Sequence, residues 1–377
     1  MNQERVDVGS NRRPLKILHI DPERAWGGGE AQVVGLLSYL SLRGHINHLL
    51  CHPRGYLMEE AKRRGITTFP ITVRNDLDLR PIFRLRRLIC SEGYDIIHFH
   101  TKRAHTFSLW LRRGKSKVNW VVTRRMDYAV KNNWYNRYLY NRRVDGVVAI
   151  SEKIAGILVE GGVRREKIRV IHSGIDLAPF QKVQRGSSNS SSPVIGTVAV
   201  MEERKGHRFL LEAAALLKQQ GHQLSYRFAG DGSQRERLKK IALGLGLQQE
   251  VTFEGFVSDI PNFLSAIDIL VLSSLYEGLG VAVLEAMAAG KAVIATRVGG
   301  LPELVHERVT GLLVPPRDPQ ALAQSIAQLV SQRHVVQRMG SKARERVQQY
   351  FTLEQMAKKN EDYYFELGHD HREKGLN

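Results

Sequence analysis

The sequence is poor in cysteine and contains no long apolar run. Of its 377 residues only two are cysteines, Cys51 and Cys90, which are too few for a disulfide framework or a cysteine-based metal cluster. No segment approaches the roughly 18 consecutive apolar residues that cross a membrane, and residues 1–13 lack the apolar core of a signal peptide. These absences predict a protein of a reducing compartment, cytoplasmic or held peripherally on the inner face of the cell membrane.

Acidic residues are scarce in the first half of the chain. Residues 1–180 contain 32 Lys and Arg against 17 Asp and Glu, which accounts for 15 of the 18 net positive charges. Such an asymmetry indicates an anionic partner for the first half. The candidates are nucleic acid, an anionic membrane surface and a phosphorylated acceptor molecule.

The most informative stretch is residues 266–305. An apolar run predicts a buried strand at 266–274, the composition of 281–289 favours a helix, and a second apolar run predicts a strand at 292–296. The turn 276–280 therefore lies at the carboxyl end of a parallel strand, where open α/β sheets bind their ligands. The chain is long enough for two domains of this kind.

The turn combines glycines with carboxylates. Gly280 allows a ligand to approach the backbone closely, and the helix that follows presents free amides with a partial positive charge. The amides of Leu279, Gly280 and Val281 are thus a candidate phosphate site. Glu277 and Glu285 would repel a phosphate, so we expect them to bind sugar hydroxyls.

These residues resemble the signature of the family 4 retaining glycosyltransferases. Seven residues separate the two glutamates. The predicted helix contains a Glu-Ala-Met-Ala motif at 285–288, and a Val-Gly-Gly-Leu-Pro-Glu turn follows at 298–303. The resemblance covers roughly residues 15–365. It implies an α/β protein of the GT-B class, in which two Rossmann-like domains with parallel sheets face each other across a cleft. The expected acceptor-binding domain comprises residues 14–180 together with a terminal helix at about 352–367. The expected nucleotide-sugar-binding domain comprises residues 184–351.

The resemblance also implies roles on the donor side. Glu285 would hold the ribose hydroxyls and Glu277 the donor sugar, while Lys205 would contact the diphosphate. Relatives carry an arginine five residues before this lysine, where this chain has Val200, so Arg204 is the candidate replacement. The turns that contain Gly230 and Phe256 are expected to hold the nucleotide base. No cofactor is expected.

In the first domain the resemblance points to two elements. Gly28, Gly29 and Glu30 lie in a glycine-rich loop that is similar to a Gly-Gly-x-Glu element of the family, which faces the donor phosphate and the acceptor. A strand at 94–101 ends in His100, which would lie beside the donor sugar and which we place with Glu277 as a catalytic candidate.

A metal site is not expected. His98 and His100 share one face of their strand, but no third ligand is near them in the sequence. Asp76 and Asp78 have the spacing of a metal-binding Asp-x-Asp motif. Such short acidic patterns are common, and the resemblance is to a metal-independent group.

The acceptor side departs from the family pattern. Relatives have Thr-x-His-Asp where this chain has Arg124, Arg125 and Asp127, and the added positive charge suits a phosphorylated or acidic acceptor. The apolar face of the helix at 79–93 fits either an ordinary sheet-covering helix or a membrane-surface helix. Residues 132–143 interleave Trp and Tyr with Arg, which fits lipid headgroups at least as well as RNA, because no RNA-binding motif accompanies them.

Taken together, the residues and the family resemblance imply a retaining, metal-independent glycosyltransferase. It would move a sugar from a nucleotide-diphosphate donor to a lipid-linked or lipopolysaccharide-type glycan at the cytoplasmic membrane face. The alternatives are a nucleotide-sugar epimerase of the same fold and a basic nucleic-acid-binding protein. The latter is disfavoured because Glu277 and Glu285 would lie where a polyanion must bind.

Overall fold

The structure, a computed structural model, describes residues 12–73, 80–111, 118–183 and 192–373, without the side chains of 369–373. Asp76, Asp78 and most of the serine-rich stretch 184–193 lie outside the described residues. The chain forms two compact units. The first comprises Met1–Gly174 together with Leu353–Asn377, and the second comprises Ile175–Thr352.

The first unit is built on a parallel sheet. Its described strands run in the order β3-β2-β1-β4-β5-β6-β7. Most are short apolar segments buried on both faces, as expected for a parallel sheet covered by helices. The strands are β1 (Lys16–Asp21), β2 (Ile46–Cys51), β3 (Thr67–Pro70), β4 (Ile96–Phe99), β5 (Asn119–Arg124), β6 (Gly146–Ala149) and β7 (Ile168–Val170).

Helices connect these strands. The hydroxyl of Ser151 accepts a hydrogen bond from the Ile154 amide at 3.2 Å and thereby caps the N-terminus of α7, the last of these helices. The helices are α1 (Gly28–Leu42), α2 (Tyr56–Arg63), α3 (Arg80–Glu92), α4 (Lys102–Thr106), α5 (Ser108–Leu111), α6 (Trp134–Arg142) and α7 (Glu152–Glu160).

The second unit repeats the plan. Its strands run in the order β10-β9-β8-β11-β12-β13, all parallel. They are β8 (Val194–Val198), β9 (Ser225–Ala229), β10 (Val251–Gly255), β11 (Ile269–Leu272), β12 (Ala292–Thr296) and β13 (Gly311–Val314). The helices are α8 (His207–Gln219), α9 (Arg235–Gly244), α10 (Ile260–Ser265), α11 (Val281–Ala288), α12 (Leu301–Leu304), α13 (Pro319–Val330) and α14 (Arg333–Tyr350).

The last helix, α15 (Leu353–Glu373), belongs to the first unit. Its buried face includes Ala357 and Tyr364 and packs into the core around Ile17 and Ile96. A buried carboxylate, Glu361, accepts a hydrogen bond from His45 at 2.8 Å and one from Arg43 at 3.3 Å. Among the described helices, none is long and apolar enough to cross a membrane.

Candidate functional site

In the second unit, polar residues meet where the order of the sheet reverses. The chain proceeds from β8 to β9 and β10 on one side, and β11 starts on the other side of β8. Loops that follow the two neighbouring strands at such a switch point form a ligand crevice. Here the loop after β8 supplies Lys205 and the loop after β11 supplies Glu277, whose carboxylate accepts a hydrogen bond from the lysine ammonium at 2.5 Å. Both side chains are largely buried.

Glycines allow these two loops to approach each other. Gly206 has φ of 63°, and a Cβ atom there would lie 2.1 Å from the carbonyl oxygen of Ser273. The hydroxyl of Ser273 donates to the Gly206 carbonyl at 3.0 Å, and the hydroxyl of Ser274 donates to Glu277 at 3.2 Å. The predicted strand 266–274 is shorter in the structure, where β11 spans Ile269–Leu272. The two serines of the predicted strand serve the loop contacts, and residues 266–268 connect β11 to α10.

The N-terminus of α11 opens beside this ion pair. Gly280 precedes the helix with φ of 100°, a left-handed conformation that favours glycine. Among the described residues, no backbone carbonyl accepts a hydrogen bond from the amides of Leu279, Gly280 or Val281. The three amides predicted to bind phosphate thus retain their donor capacity.

Glu285 lies one turn inside α11 and is partly buried. Its carboxyl group has no hydrogen-bond or ion-pair partner among the described residues, and burial raises its pKa from 4.5 to about 7. A buried carboxyl group without a partner is costly. It is also free to accept hydrogen bonds from the hydroxyl groups of a ligand.

The loop after β8 places Arg204 next to Lys205. The Arg204 guanidinium forms an ion pair with Glu202 at 2.6 Å, and its backbone carbonyl accepts a hydrogen bond from the Leu275 amide at 2.7 Å. Val200 is partly exposed at the start of the loop. The basic side chain that this chain offers here is therefore engaged with a neighbouring carboxylate.

The turns predicted to hold a nucleotide base lie side by side. The Gly230 amide donates to the carbonyl of Gly255 at 2.7 Å. The close packing admits no side chain at Gly230, where a Cβ would come within 1.9 Å of the Ala199 carbonyl oxygen. Phe256 follows directly and is 72% exposed. An exposed aromatic ring at the carboxyl edge of the sheet provides a surface on which a base can stack.

The first unit has its own switch point, between β1 and β4. Three histidines lie there. His19 of β1 contacts His100 at 2.9 Å between ring nitrogens, and His98 of β4 bonds to the hydroxyl of Tyr364 at 2.6 Å and to that of Thr123 at 2.7 Å. Burial lowers the pKa of His19 to about 3 and the pKa values of His98 and His100 well below the ordinary value. The three rings are therefore neutral at physiological pH.

The histidine cluster supplies the third ring that the sequence did not indicate. Nitrogen atoms of His19, His98 and His100 lie within 4.8 Å of one another, which would suit a divalent cation. However, the guanidinium of Arg125 lies 3.5 Å from His100 and its positive charge opposes cation binding. The arrangement is better suited to donate and accept hydrogen bonds.

Two carboxyl groups accompany Arg125. Burial and the nearby charge of Glu30 raise the pKa of Asp21, at the end of β1, to about 7. Burial also raises the pKa of Glu30, in the first turn of α1, although backbone amides and Arg125 oppose the increase. Gly28 and Gly29 begin this helix, and Gly29 faces the Arg125 side chain, where a Cβ would lie 3.4 Å from Cδ. The predicted candidates Gly28, Gly29 and Glu30 thus lie beside Arg125 and near His100.

The other two acceptor-side candidates, Arg124 and Asp127, lie at the end of β5 and in the segment that follows it. Arg124 is buried, and its guanidinium donates to the Tyr128 carbonyl at 2.9 Å. Arg125 follows the last residue of β5 and reaches the histidine cluster, while Arg124 supports the segment that leads to α6. Asp127 is partly buried in that segment.

Sequence reasoning missed His19, Asp21 and Tyr364. A signal was present for two of them, because His19 and Asp21 are polar residues at the carboxyl end of an otherwise apolar strand. Tyr364 carried no comparable signal, since its apolar helix neighbours give it the pattern of a core residue.

Known sequences and structures resemble the chain throughout. The family profile described as glycosyltransferase family 4 matches residues 26–179, and the profile described as glycosyl transferases group 1 matches residues 180–346. The D-inositol 3-phosphate glycosyltransferase of Corynebacterium urealyticum is 30% identical over 63% of this chain and 64% of its own length. The lipopolysaccharide core biosynthesis glycosyltransferase LpsE of Rhizobium meliloti is 31% identical over 61% of this chain and 66% of its own. The matches span just under two thirds of these two relatives.

The fold has a solved counterpart of nearly equal extent. The Anabaena protein Alr3699/HepE, solved in complex with UDP-glucose, superimposes with a TM-score of 0.80 at 23% identity and covers 93% of this chain and 99% of its own. The predicted fold class, α/β with two Rossmann-like units of the GT-B type, is confirmed. Because the two profiles together match residues 26–346, the chain belongs to the family 4, group 1, glycosyltransferases.

Proposed function

We propose that this glycosyltransferase moves a sugar from a nucleotide-diphosphate donor to an acceptor glycan with retention of the anomeric configuration, and without a metal ion. The observation that carries the proposal is the Lys205–Glu277 pair at the switch point of the second unit, together with the unpaired carboxyl group of Glu285 in the helix that follows this loop. A cation, free helix amides and a hydroxyl-binding carboxylate match the diphosphate, sugar and ribose of one ligand. The UDP-glucose complex of the Anabaena protein supports this donor class.

Each donor group has a proposed partner. Lys205 and the amides at Gly280 stabilise the negative charge of the departing diphosphate. In this role they take the place of a metal ion. Glu285 accepts hydrogen bonds from the ribose hydroxyls, and Glu277 binds the donor sugar. Phe256 and the turn at Gly230 hold the base.

Residues of the first unit are proposed to bind the donor sugar and the acceptor. His100 contacts the donor sugar as a neutral hydrogen-bonding group, and Arg125 binds an acidic or phosphorylated group of the acceptor. In the transfer step the bond from the anomeric carbon to the phosphate oxygen breaks, and the acceptor oxygen bonds to that carbon on the same face. The acceptor proton passes to the departing phosphate oxygen.

The proposed acceptor is a lipid-linked or lipopolysaccharide-type glycan at the cytoplasmic membrane face. The basic first half of the chain supports it, as does the similarity to a lipopolysaccharide core glycosyltransferase. The relative named for D-inositol 3-phosphate supports an acceptor that carries a phosphate.

A thermal-shift screen tests the donor assignment. The purified protein is heated with UDP, GDP, ADP, CMP and their sugar conjugates, with and without EDTA. A ligand that binds only the native state adds about 2.7 kcal/mol at a hundredfold excess over its dissociation constant. We expect stabilisation by one nucleotide family, unchanged by EDTA and lost in Glu285→Ala. Loss of the shift with EDTA would contradict metal independence, and no shift with any nucleotide would contradict the donor class. NMR of the transferred anomeric centre then tests retention.

A further inference from the structure

The first unit carries an exposed aromatic and basic surface that the proposed reaction does not use. The chain order of the sheet places α3, α4, α5 and α6 on one face, because right-handed crossovers from β3 to β4, β5 and β6 all run in the same direction. Helices α1 and α2 belong to connections in the opposite direction and cover the other face. Segments that are distant in sequence therefore become neighbours.

Contacts join these helices into one layer. Helix α3 contacts α5, and the guanidinium of Arg143, just after α6, donates to the carbonyls of Ser108 and Leu109 in α5 at 2.6 and 2.8 Å. The same guanidinium lies 5.8 Å from the ring centroid of Tyr138. His105 of α4 packs edge-on against Tyr140 of α6 in the interior.

Large aromatic side chains point outward from this layer. Phe83 of α3 is 74% exposed, Trp110 of α5 is 55% exposed, and Trp134 and Tyr138 of α6 are 78% and 44% exposed. In contrast, Ile82 and Leu85 of α3 are buried. Helix α3 thus uses its apolar stripe inside its own unit, so its exposed aromatic residue is not explained by packing.

The charge around these rings is almost entirely positive. Helices α3, α4, α5 and α6 together contain eight Lys and Arg and a single acidic residue, Glu92. On the described layer the exposed basic side chains include Arg84, Arg87, Lys131, Arg137 and Arg142. We define the aromatic–basic surface as these five residues together with Phe83, Trp110, Trp134 and Tyr138.

We propose that the aromatic–basic surface docks the protein on an anionic lipid bilayer. Trp and Tyr favour the headgroup region, where an amphipathic ring is partly apolar and partly hydrated. Basic side chains gain attraction from anionic headgroups. Protein interfaces are also enriched in aromatic residues and Arg, but the excess of basic over acidic side chains on this layer favours an anionic bilayer. The inference extends the proposed membrane-face acceptor, and lipid binding is measured without donor or acceptor.

The test uses the full chain with phosphatidylcholine vesicles, either pure or with about one third phosphatidylglycerol. We expect sedimentation with the anionic vesicles only, weakened by high salt. Each charge that is removed should weaken binding about fivefold, so Arg84→Gln with Arg87→Gln should weaken it about 25-fold. Phe83→Ser with Trp134→Ser should also release the protein. Quenching of tryptophan fluorescence by brominated lipids should fall in Trp134→Phe.

Matched controls come from α9 of the second unit. Lys240 and Leu243 are exposed there, and Lys240→Gln and Leu243→Ser should change vesicle binding by less than twofold. Nucleotide-induced thermal shifts verify that all variants are folded. Equal binding to pure phosphatidylcholine, or wild-type binding by the surface variants, would overturn the inference and leave the sugar-transfer proposal intact. Tighter binding to single-stranded RNA than to anionic vesicles, lost in the same variants, would also overturn it.

Discussion

Replacing Glu285 with glutamine should stabilise the protein and weaken donor binding at the same time. The carboxyl group of Glu285 has no partner among the described residues, and burial raises its pKa from 4.5 to about 7. In the unfolded chain the group ionises near its ordinary pKa, so the folded state binds the proton more tightly. Ionisation of this group in the folded state therefore lowers the free energy of unfolding. The loss is absent below about pH 4.5, increases between pH 4.5 and 7, and is complete above pH 7.

The magnitude follows from the size of the shift. An increase from 4.5 to about 7 corresponds to up to about 3 kcal/mol of unfolding free energy lost on ionisation. Glu285→Gln keeps the shape of the side chain and cannot ionise. We therefore expect the variant to gain up to about 3 kcal/mol over the wild type at pH 8 and much less at pH 5.

Urea denaturation at several pH values measures this difference. Other buried carboxyl groups, such as Asp21, titrate in both proteins and cancel in the comparison. Glu236→Gln is the matched control, because Glu236 is exposed on α9 and forms an ion pair with Lys239, and it should show no gain at pH 8. Calorimetry with the identified nucleotide should show a loss of roughly 10- to 100-fold in affinity, since hydrogen bonds to a charged group contribute about 1.5–3 kcal/mol each. A variant with the wild-type pH profile would show that the carboxyl group is solvated, and the reasoning would be wrong.

Three further substitutions test other contacts. Lys205→Met should weaken nucleoside diphosphate binding by roughly 10- to 100-fold but leave nucleoside binding unchanged in calorimetry; equal losses for both would contradict a diphosphate contact. Tyr364→Phe should leave a ring nitrogen of His98 unpaired and lower the unfolding free energy by about 1–3 kcal/mol, measured in urea; an unchanged value would argue against the buried hydrogen bond. Burial raises the pKa of Glu361, but its hydrogen bond from His45 and the charge of Arg43 outweigh burial and lower it. The ionised form therefore stabilises the fold above the ordinary pKa. Glu361→Gln should be destabilising at pH 7, and the difference should vanish as the pH falls through the lowered pKa; a constant difference would refute this.

Sequence patterns predicted the fold class because they are local. The strand at 292–296 and the helix after Gly280 appear in the structure at almost the predicted positions, since each has a strong composition and a glycine boundary. Helix α14 was not predicted. Its buried residues Val335, Met339, Ala343 and Val347 recur every four residues, so the signal was present but was diluted by the charged residues between them.

The histidine cluster could not be predicted in the same way. His19 and His98 are neighbours only because β1 and β4 pair in a parallel register that aligns these two residues. That register depends on the order of the whole sheet, which places β4 beside β1 rather than beside β3. Likewise, the contact of Lys205 with Glu277 joins residues that are 72 positions apart. Family resemblance assigned both residues to the donor, but the residues alone gave no reason to place them together.

The return of α15 to the first unit has a consequence for synthesis of the protein. Residues of this helix complete the core around Ile17 and Ile96, yet the ribosome makes them after the whole of Ile175–Thr352. At about 5–20 residues per second, the first unit waits roughly 10–35 seconds with an apolar face uncovered. During that interval the uncovered apolar face of the nascent chain is a binding surface for chaperones. A ribosome stalled before residue 353 would leave the first unit without the helix that completes its core.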